Sequence, residues 1–318
     1  MAAGTVEAGM RVGVMDLGSS SFRLDVAEAE RSGRIRHLIR KREDLFLGLV
    51  VGREGRVPEK EAAEAEDAVR RLQRAARRRD VDHLIVVATS ALRDAANRDE
   101  MAKRLRKALG EPVRFLTGDE EAALTYAAMR AHLRLNGDSL LGVDLGGGSL
   151  ELAAGRGETL ERTWSLPLGS ARLTGKFGRS DPVTSAEADR LALYVRNQLR
   201  PVVTGHGALD HVAVAGGTAK ALARLLAPGK RSVAGMVLTG ESLWSLRDRL
   251  TAASVQERLE LPGMVARRAG VIAAGAVVLS SLVSMLRVPG LTVSEWGVRE
   301  GIILEAVGLV PDREPAVA

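Results

Sequence analysis

Three short loops concentrate the residue types in this sequence that could do chemistry. They are "DLGSSS" (16–21), "DLGGGS" (144–149) and "AGGTA" (215–219), and each follows a run of apolar residues with strand character. Gly18, Ser19, Ser20 and Ser21 in the first, Gly146, Gly147, Gly148 and Ser149 in the second, and Gly216, Gly217 and Thr218 in the third offer successive backbone N–H groups without bulky side chains. Such a concave nest of donors binds phosphate oxygens, and Ser or Thr hydroxyls add further donors. The third loop also opens a helical pattern, whose N-terminus favours an anion. Taken singly, each loop reads first as a Gly-rich turn; it is three in one chain that point to phosphate. Two of them also carry an acid, Asp16 or Asp144, at the end of the preceding strand. A buried carboxylate is costly unless it is paired or bound to a cation. Mg²⁺ suits the position, because it takes oxygen ligands from one or two carboxylates together with substrate phosphates; the alternative is an Asp that caps its own turn. The consecutive glycines are expected to leave room for phosphate oxygens against the backbone.

Composition narrows the classes further. The 318-residue chain is 46% hydrophobic, long enough for two domains with cores of their own. Aromatic residues make up 3%, which leaves few stacking platforms for single-stranded nucleic acid, and no nucleic-acid partner is expected. Cysteine is absent, which excludes disulfides and thiolate chemistry and makes the cytoplasm the expected compartment. The opening "MAAGTVEAGM" reads as a loose leader rather than a signal peptide, and the closing "PDREPAVA" as a frayed end. Net charge is +6, with 39 Arg against 7 Lys. That imbalance suits either a polyanionic partner or solvated helix faces. The apolar run "AGVIAAGAVVLSSLVSML" (269–286) approaches membrane-span length, but its large residues fall at helical spacing with serines between. It is read as a buried helix, at a subunit contact if the protein is a homodimer, and no membrane association is expected.

The elements that must position the loops follow a repeated order. "RVGVMDLGSSSFRLDVAEA" and "LLGVDLGGGSLELAAGRG" share an apolar run, Asp-Leu-Gly, small residues and then alternation, so Asp16 and Asp144 correspond. Each copy predicts a strand, a Gly/Ser turn and a returning strand. "HLIRKREDLFLGL" is expected to continue the first sheet, and a helix is expected from near Glu59. "HLIVVATSALRDAANRDEMAKRLRKALG" reads as strand, turn and a helix ending at Gly110, and "VRFLTGDEEAALTYAAMRAHL" repeats that grammar. Thr184 and Glu187 form a capping box for a helix over 186–200, with Pro201 in the loop beyond it. "HVAVA" then runs into the third loop, and "SEWGVREGIILEAVGLV" is a last helix. Alternating strands and helices in two related halves predict an α/β protein with two similar lobes and a ligand between them. P-loop, dinucleotide-binding, zinc-protease and serine-hydrolase signatures are missing, and the five His are scattered.

The series "DLGSSSFRL", "ATSALRDAANRDE", "TGDEEAALTYAA", "DLGGGSLEL", "LPLGSARLT", "AVAGGTAKALA" and "LTVSEWGVREGIIL" resembles, in order, the exopolyphosphatase and guanosine pentaphosphate phosphohydrolase family. The resemblance runs from about residue 12 to 304. It implies two ribonuclease-H-like domains of the actin, sugar kinase and heat-shock ATPase superfamily. The first spans 11–130, completed by a helix at 299–311, and the second spans 131–298, with the site in the cleft. It implies hydrolysis of the terminal phosphoanhydride of inorganic polyphosphate, or of guanosine pentaphosphate, with Mg²⁺. By motif, Asp144 and Asp16 would position the metal with Glu151 beside it, the Gly/Ser loops would cradle phosphates, and Arg93 would bind the phosphoryl group. Glu120 would be the catalytic base, with Glu121 in reserve. The residues themselves leave other readings open: Glu120 with Thr117 is also a capping box, and Arg93 could pair with Asp94 or Asp99 at the surface. Ser20 stands where the family usually has Asn, and Gly270 where many members have Asp. The chain also lacks the extra C-terminal helical domains of long members. Competing functions are a non-catalytic sensor of polyphosphate or alarmone, a small-molecule kinase of the same superfamily and, more remotely, an actin-like filament.

Overall fold

A computed structural model describes residues 9–310. The frayed tail and all but the end of the loose leader lie outside the described residues. Two mixed sheets organise the chain. The first has strands β1 (Met10–Leu17), β2 (Ser21–Ala29), β3 (Ile35–Asp44), β4 (His83–Ala88) and β5 (Arg114–Phe115) in the order β3-β2-β1-β4-β5. The second has β6 (Ser139–Leu145), β7 (Leu150–Arg156), β8 (Thr159–Leu166), β9 (His211–Ala215), β10 (Val237–Thr239) and β11 (Gly290–Val293). Its order is β10-β11-β9-β6-β7-β8, the same pattern with one strand added at the edge. The two copies superpose in register as well as order. Asp16 lies opposite Arg23 and beside Val87, while Asp144 lies opposite Glu151 and beside Ala215. The expected pair of ribonuclease-H-like units is therefore present.

Helices cover both sheets. In the first half these are α1 (Leu47–Glu54), α2 (Glu59–Arg77), α3 (Ser90–Arg93), α4 (Arg98–Leu109) and α5 (Gly118–Leu133). In the second half they are α6 (Ser170–Phe177), α7 (Ser185–Gly205), α8 (Gly217–Leu226), α9 (Gly240–Ala252), α10 (Val255–Leu259), α11 (Ile272–Leu286) and α12 (Val298–Ala306). The apolar run at 269–286 is α11, whose Ile272, Val278 and Leu282 are wholly buried in the second core. No helix of the described residues is long and apolar enough to cross a membrane.

Local rules decide most boundaries, and three differ from expectation. "LFLGL" does not extend β3: the strand ends at Asp44, and Leu47 and Val51 turn inward as one face of α1. The single helix expected after β4 is broken into α3 and α4, with Asn97 at the break; its amide donates to Val57 O and its carbonyl accepts from Val57 N, both at 2.9 Å. Pro201 lies inside α7, which runs on to Gly205. Proline there removes one internal hydrogen bond, and burial of Leu199 and Val202 against the second core carries the helix through it.

Two helices join the lobes. α12 follows the last strand of the second sheet, yet its Val298, Ile302 and Ile303 bury against Val12, Val14 and Val87 of the first. α5 follows the first sheet, and its Ala122, Tyr126 and Met129 bury against Leu140, Ala153 and Ala213 of the second, while its Leu124 joins the first cluster. Where the helices cross, a Cβ on Gly301 would stand 2.2 Å from the Leu124 carbonyl oxygen, a backbone atom that cannot yield. Gly301→Ala is therefore expected to destabilise the protein by about 1–3 kcal/mol, despite alanine's better helix propensity, and urea unfolding followed by circular dichroism measures the loss.

Candidate functional site

The repeat sets the geometry of a cavity between the lobes. Side chains on a strand alternate between faces, so Asp16 and its cross-strand neighbour Arg23 share one face, as do Asp144 and Glu151. α12 packs over the first pair and α5 over the second. The result is one cavity of about 100 Å³ lined by both hairpin turns, by Asp16, Asp144, Glu121 and Glu151, and by Arg23, Lys220, Arg268 and Arg299. Gly216 and Gly217 of the third loop line it too, while Thr218 is fully buried beneath and donates to Ser170 Oγ at 3.2 Å.

The consecutive glycines answer to the opposite lobe. A Cβ on Gly147 would stand 2.3 Å from Ser20 Oγ, and one on Gly148 would stand 2.2 Å from Ser90 Oγ and 2.5 Å from Ser19 Oγ. The two turns thus press against each other at the cavity rim, and Ser19 and Ser90 are joined hydroxyl to hydroxyl at 2.7 Å. Gly216, at φ +96°, has a second reason: a Cβ there would approach Asp144 Oδ1 to 2.8 Å.

Glu120 and Glu121 separate sharply. Glu120 completes a capping box, accepting from Thr117 N at 2.7 Å while its own N–H donates to Thr117 Oγ1 at 3.1 Å, and it accepts from Arg114 at 2.9 Å. It does not line the cavity. Glu121, one residue on and about 100° around the helix, does line it and is buried. Arg93 is also absent from the cavity wall; its Nη1 donates to Glu121 Oε2 at 3.2 Å and to the Leu116 carbonyl at 2.9 Å. Gly270 lies in a separate small pocket beside α7 and α10, away from the site.

Electrostatics mark the cavity as a place where charge is held at a cost. Burial raises Asp16, Asp144, Glu121 and Glu151 above ordinary carboxylate values. Glu121 lies well above, through burial and then the Glu151 charge, and Glu151 is pushed up to about 7, through burial and then Asp144. Three of the four cations are displaced the other way, burial bringing Lys220 down to about 8, Arg23 to about 9 and Arg268 to about 10, whereas for Arg299 burial is outweighed by the charges of Glu300, Asp25 and Asp16, which raise it. Two polar atoms in the lining, Ser20 Oγ and Arg268 Nη1, are buried without a hydrogen-bond partner. An anion with several oxygens would satisfy both, and a divalent cation would relieve the carboxylates. The donor set, two half-buried Asp carboxylates from matching strands, suits Mg²⁺.

Sequence reasoning overlooked the four cations. Their signal was present in part: Arg23 alternates with Ser21 on β2, and Lys220, one of 7 lysines, sits one turn into the helix that the third loop opens.

Comparison with known proteins gives a consistent answer. Residues 26–309 match the profile of the Ppx/GppA phosphatase family. The chain is 32% identical over 302 residues to "Exopolyphosphatase 1" of Mycobacterium tuberculosis, covering 93% of this chain and 88% of that protein. It superposes on the crystal structure of the Aquifex aeolicus Ppx/GppA family member with a TM-score of 0.80 and 29% identity, over 94% of this chain and 97% of that one. An exopolyphosphatase from Cytophaga hutchinsonii shares the fold at a TM-score of 0.86 and 23% identity, over 95% and 99% of the two chains.

The raised carboxylates carry a sign that can be tested. A group whose pKa is higher folded than unfolded binds more protons in the native state, so its ionisation erodes stability as pH rises from about 4.3 through the folded value, about 7 for Glu151. Without divalent ions, the melting temperature should fall across this window in the wild type and fall less in Glu151→Gln. Mg²⁺ should recover the wild-type loss; equal slopes for the two proteins would show that Glu151 is not held against its charge.

Proposed function

Because the chain belongs to the Ppx/GppA phosphatase family, we propose that it hydrolyses the terminal phosphoanhydride bond of inorganic polyphosphate and releases orthophosphate. The observation that carries this reading is Glu121: a buried carboxylate on the wall of a cavity that is otherwise built from phosphate-binding turns and cations. Polyphosphate matches that lining, being a chain of anionic groups with no base or sugar to house, and among the described residues the lining offers no aromatic side chain on which a base could stack. This favours the inorganic chain over guanosine pentaphosphate and over an ATP-dependent kinase.

Hydrolysis of a phosphoanhydride needs an aligned water and stabilisation of charge on the transferred group. In the proposed mechanism Glu121 replaces Glu120 as the base, since Glu120 is spent on its cap and on Arg114. Glu121 accepts a proton from the attacking water as the water oxygen bonds to the terminal phosphorus and the bridging P–O bond breaks. Arg93 holds Glu121 in place rather than touching the phosphoryl group. Glu151, oriented by the Ser165 hydroxyl at 3.1 Å, interacts with Glu121 through its charge, so the two carboxylates titrate as a pair, and the Arg93 guanidinium hydrogen-bonded to Glu121 favours its ionised form. Ser20, Arg23, Lys220 and Arg268 bind the non-bridging oxygens, with amides among 19–21, 147–149 and 216–218, the Gly18 and Gly146 amides being taken up by the Ser21 and Ser149 carbonyls of their own turns. Asp16 and Asp144 are the residues that would hold Mg²⁺, which when bound neutralises phosphate charge. The lobes are taken to part at α5, with α12 closing the first, and the cytoplasm is the proposed setting.

Two variants at adjacent positions test the assignment. Glu121→Gln should lower orthophosphate release from polyphosphate by about 10²–10⁴-fold with folding intact. Glu120→Gln should leave turnover near wild type and cost about 1 kcal/mol of stability through the cap. Release is measured side by side on short polyphosphate, long polyphosphate, guanosine pentaphosphate and ATP, with Mg²⁺ and with chelator. The reverse ranking of the two variants, or turnover of ATP alone, would overturn the reading.

A further inference from the structure

We propose that Asp25 is a positioning residue: it holds the Arg299 guanidinium on its own carboxylate and so keeps that cation from closing over Asp16, leaving Asp16 available to a divalent ion. The inference rests on the reading of Asp16 as a metal-holding residue given above.

Asp25 sits on β2 opposite Val14, two residues from the Arg23 that faces Asp16, and therefore on the same face of the sheet. Its side chain is wholly buried, and three groups converge on it. Nδ1 of His37 lies 2.7 Å from Oδ1, Nε of Arg40 lies 3.2 Å from Oδ2, and Nη1 of Arg299 lies 3.4 Å from Oδ2. Arg299, itself nearly buried, stands between two acids, with its Nε 3.9 Å from Asp16 Oδ2. Arg40 also donates to Glu300 at 3.2 Å, and Glu300 accepts from Gly297 N at 3.0 Å, so the first turn of α12 that carries Arg299 is itself anchored to β3. Asp25, His37 and Glu300 bring ligand-type atoms within 4.8 Å of one another. Arg40 reaches all three, however, so a guanidinium already matches their charge and the cluster is not read as a metal centre.

The second lobe shows why the first needs this device. The position matching Asp25 there is Ala153, opposite Gly142, and at the start of α12 it is Gly297 that faces Asp144, where an added Cβ would lie 3.5 Å from Asp144 Oδ2. Among the described residues no arginine comes within ion-pair distance of Asp144 as Arg299 does of Asp16. A buried arginine left with one carboxylate pairs with it strongly. Removing Asp25 leaves Arg299 facing Asp16 and the neighbouring Glu300, of which Asp16 is the one it already approaches to 3.9 Å, and a divalent ion at Asp16 must then displace it.

The test counts Mn²⁺ bound to the substrate-free protein by electron paramagnetic resonance, in wild type, Asp16→Asn, Asp144→Asn, Asp25→Asn, Arg299→Gln and the Asp25→Asn/Arg299→Gln double variant. Asp25→Asn should weaken Mn²⁺ binding about tenfold. Arg299→Gln should bind at least as tightly as wild type, and in that background Asp25→Asn should cost no more than about twofold, since its effect passes through Arg299. An equal loss in both backgrounds would mean that Asp25 acts only as a distant negative charge, and binding unchanged in a folded Asp25→Asn would mean that it only stabilises the fold; either overturns the proposal. If Asp25→Asn does not fold, Arg299→Gln decides, because weaker binding there contradicts competition for Asp16. Wild-type binding that Asp16→Asn and Asp144→Asn leave intact would sink the metal-site reading and this inference with it. Binding lost in those two but kept in Asp25→Asn sinks this inference alone.

Discussion

The burial of charge between the two lobes is the constraint on which the rest of this structure depends. Asp16, Asp144, Glu121 and Glu151 converge on one cavity with Arg23, Lys220, Arg268 and Arg299, and a low-dielectric interior makes each of them expensive unless a partner is close. The two kinds of charge are not simply paired off. Asp144 accepts only from the Thr125 hydroxyl, at 3.4 Å, among the described residues, and Lys220 donates to the Glu295 carbonyl at 3.1 Å rather than to an acid. The four acids are driven toward protonation, and Lys220, Arg23 and Arg268 away from it, so the cavity stores an unmet demand for both an anion and a cation. Phosphate with a divalent metal meets both.

Contact between the hairpin turns gives that demand a location. Gly147 and Gly148 are small because serines of the other lobe stand where their side chains would be, so the same residues that offer amides also bring the two donor nests to one point. Ties outside the rim support the arrangement: Arg172 donates to the Gly148 carbonyl at 2.6 Å and to Asp94 at 2.7 Å, and Thr163 donates to Asp119 at 2.5 Å. Asp94 in turn accepts from Arg93, which holds Glu121. A continuous set of hydrogen bonds therefore runs from the glycine turn of one half to the buried glutamate delivered by the other.

What was legible in the sequence follows from the range of the physics involved. The duplicated strand-turn-strand, the capping box at Thr184 and the helix after Gly217 are written in residues a few places apart, and all three appear in the structure. Which of Glu120 and Glu121 lines the cavity was a local matter too, and the signal was the capping box itself, which fixes the direction of Glu120 and so turns Glu121 elsewhere. Arg268 and Arg299 could not be told from the other arginines by sequence, because what distinguishes them is burial against elements far along the chain. The glycine turns were read as making way for a ligand. The approach of a second loop, more than a hundred residues away, has the same signature in sequence.

The exchange of α5 and α12 between sheets joins these observations. Each helix leaves the sheet that precedes it and packs on the other, and each brings a charged first turn to the cavity: Glu121 on α5, Arg299 and Glu300 on α12. Their relative position is set where Gly301 meets the Leu124 backbone, a contact with no side chain to adjust it. The distance from the buried glutamate to Asp16 is therefore fixed by helix packing rather than by any direct contact between the two acids. Interiors transmit displacement because they are close-packed, so a change at the crossing must shift Glu121 against Asp16 even though neither residue is touched. That dependence explains how a site assembled from both halves of a duplicated chain can hold like charges together: the apolar crossing of α5 and α12 supplies the rigidity that electrostatics alone would oppose.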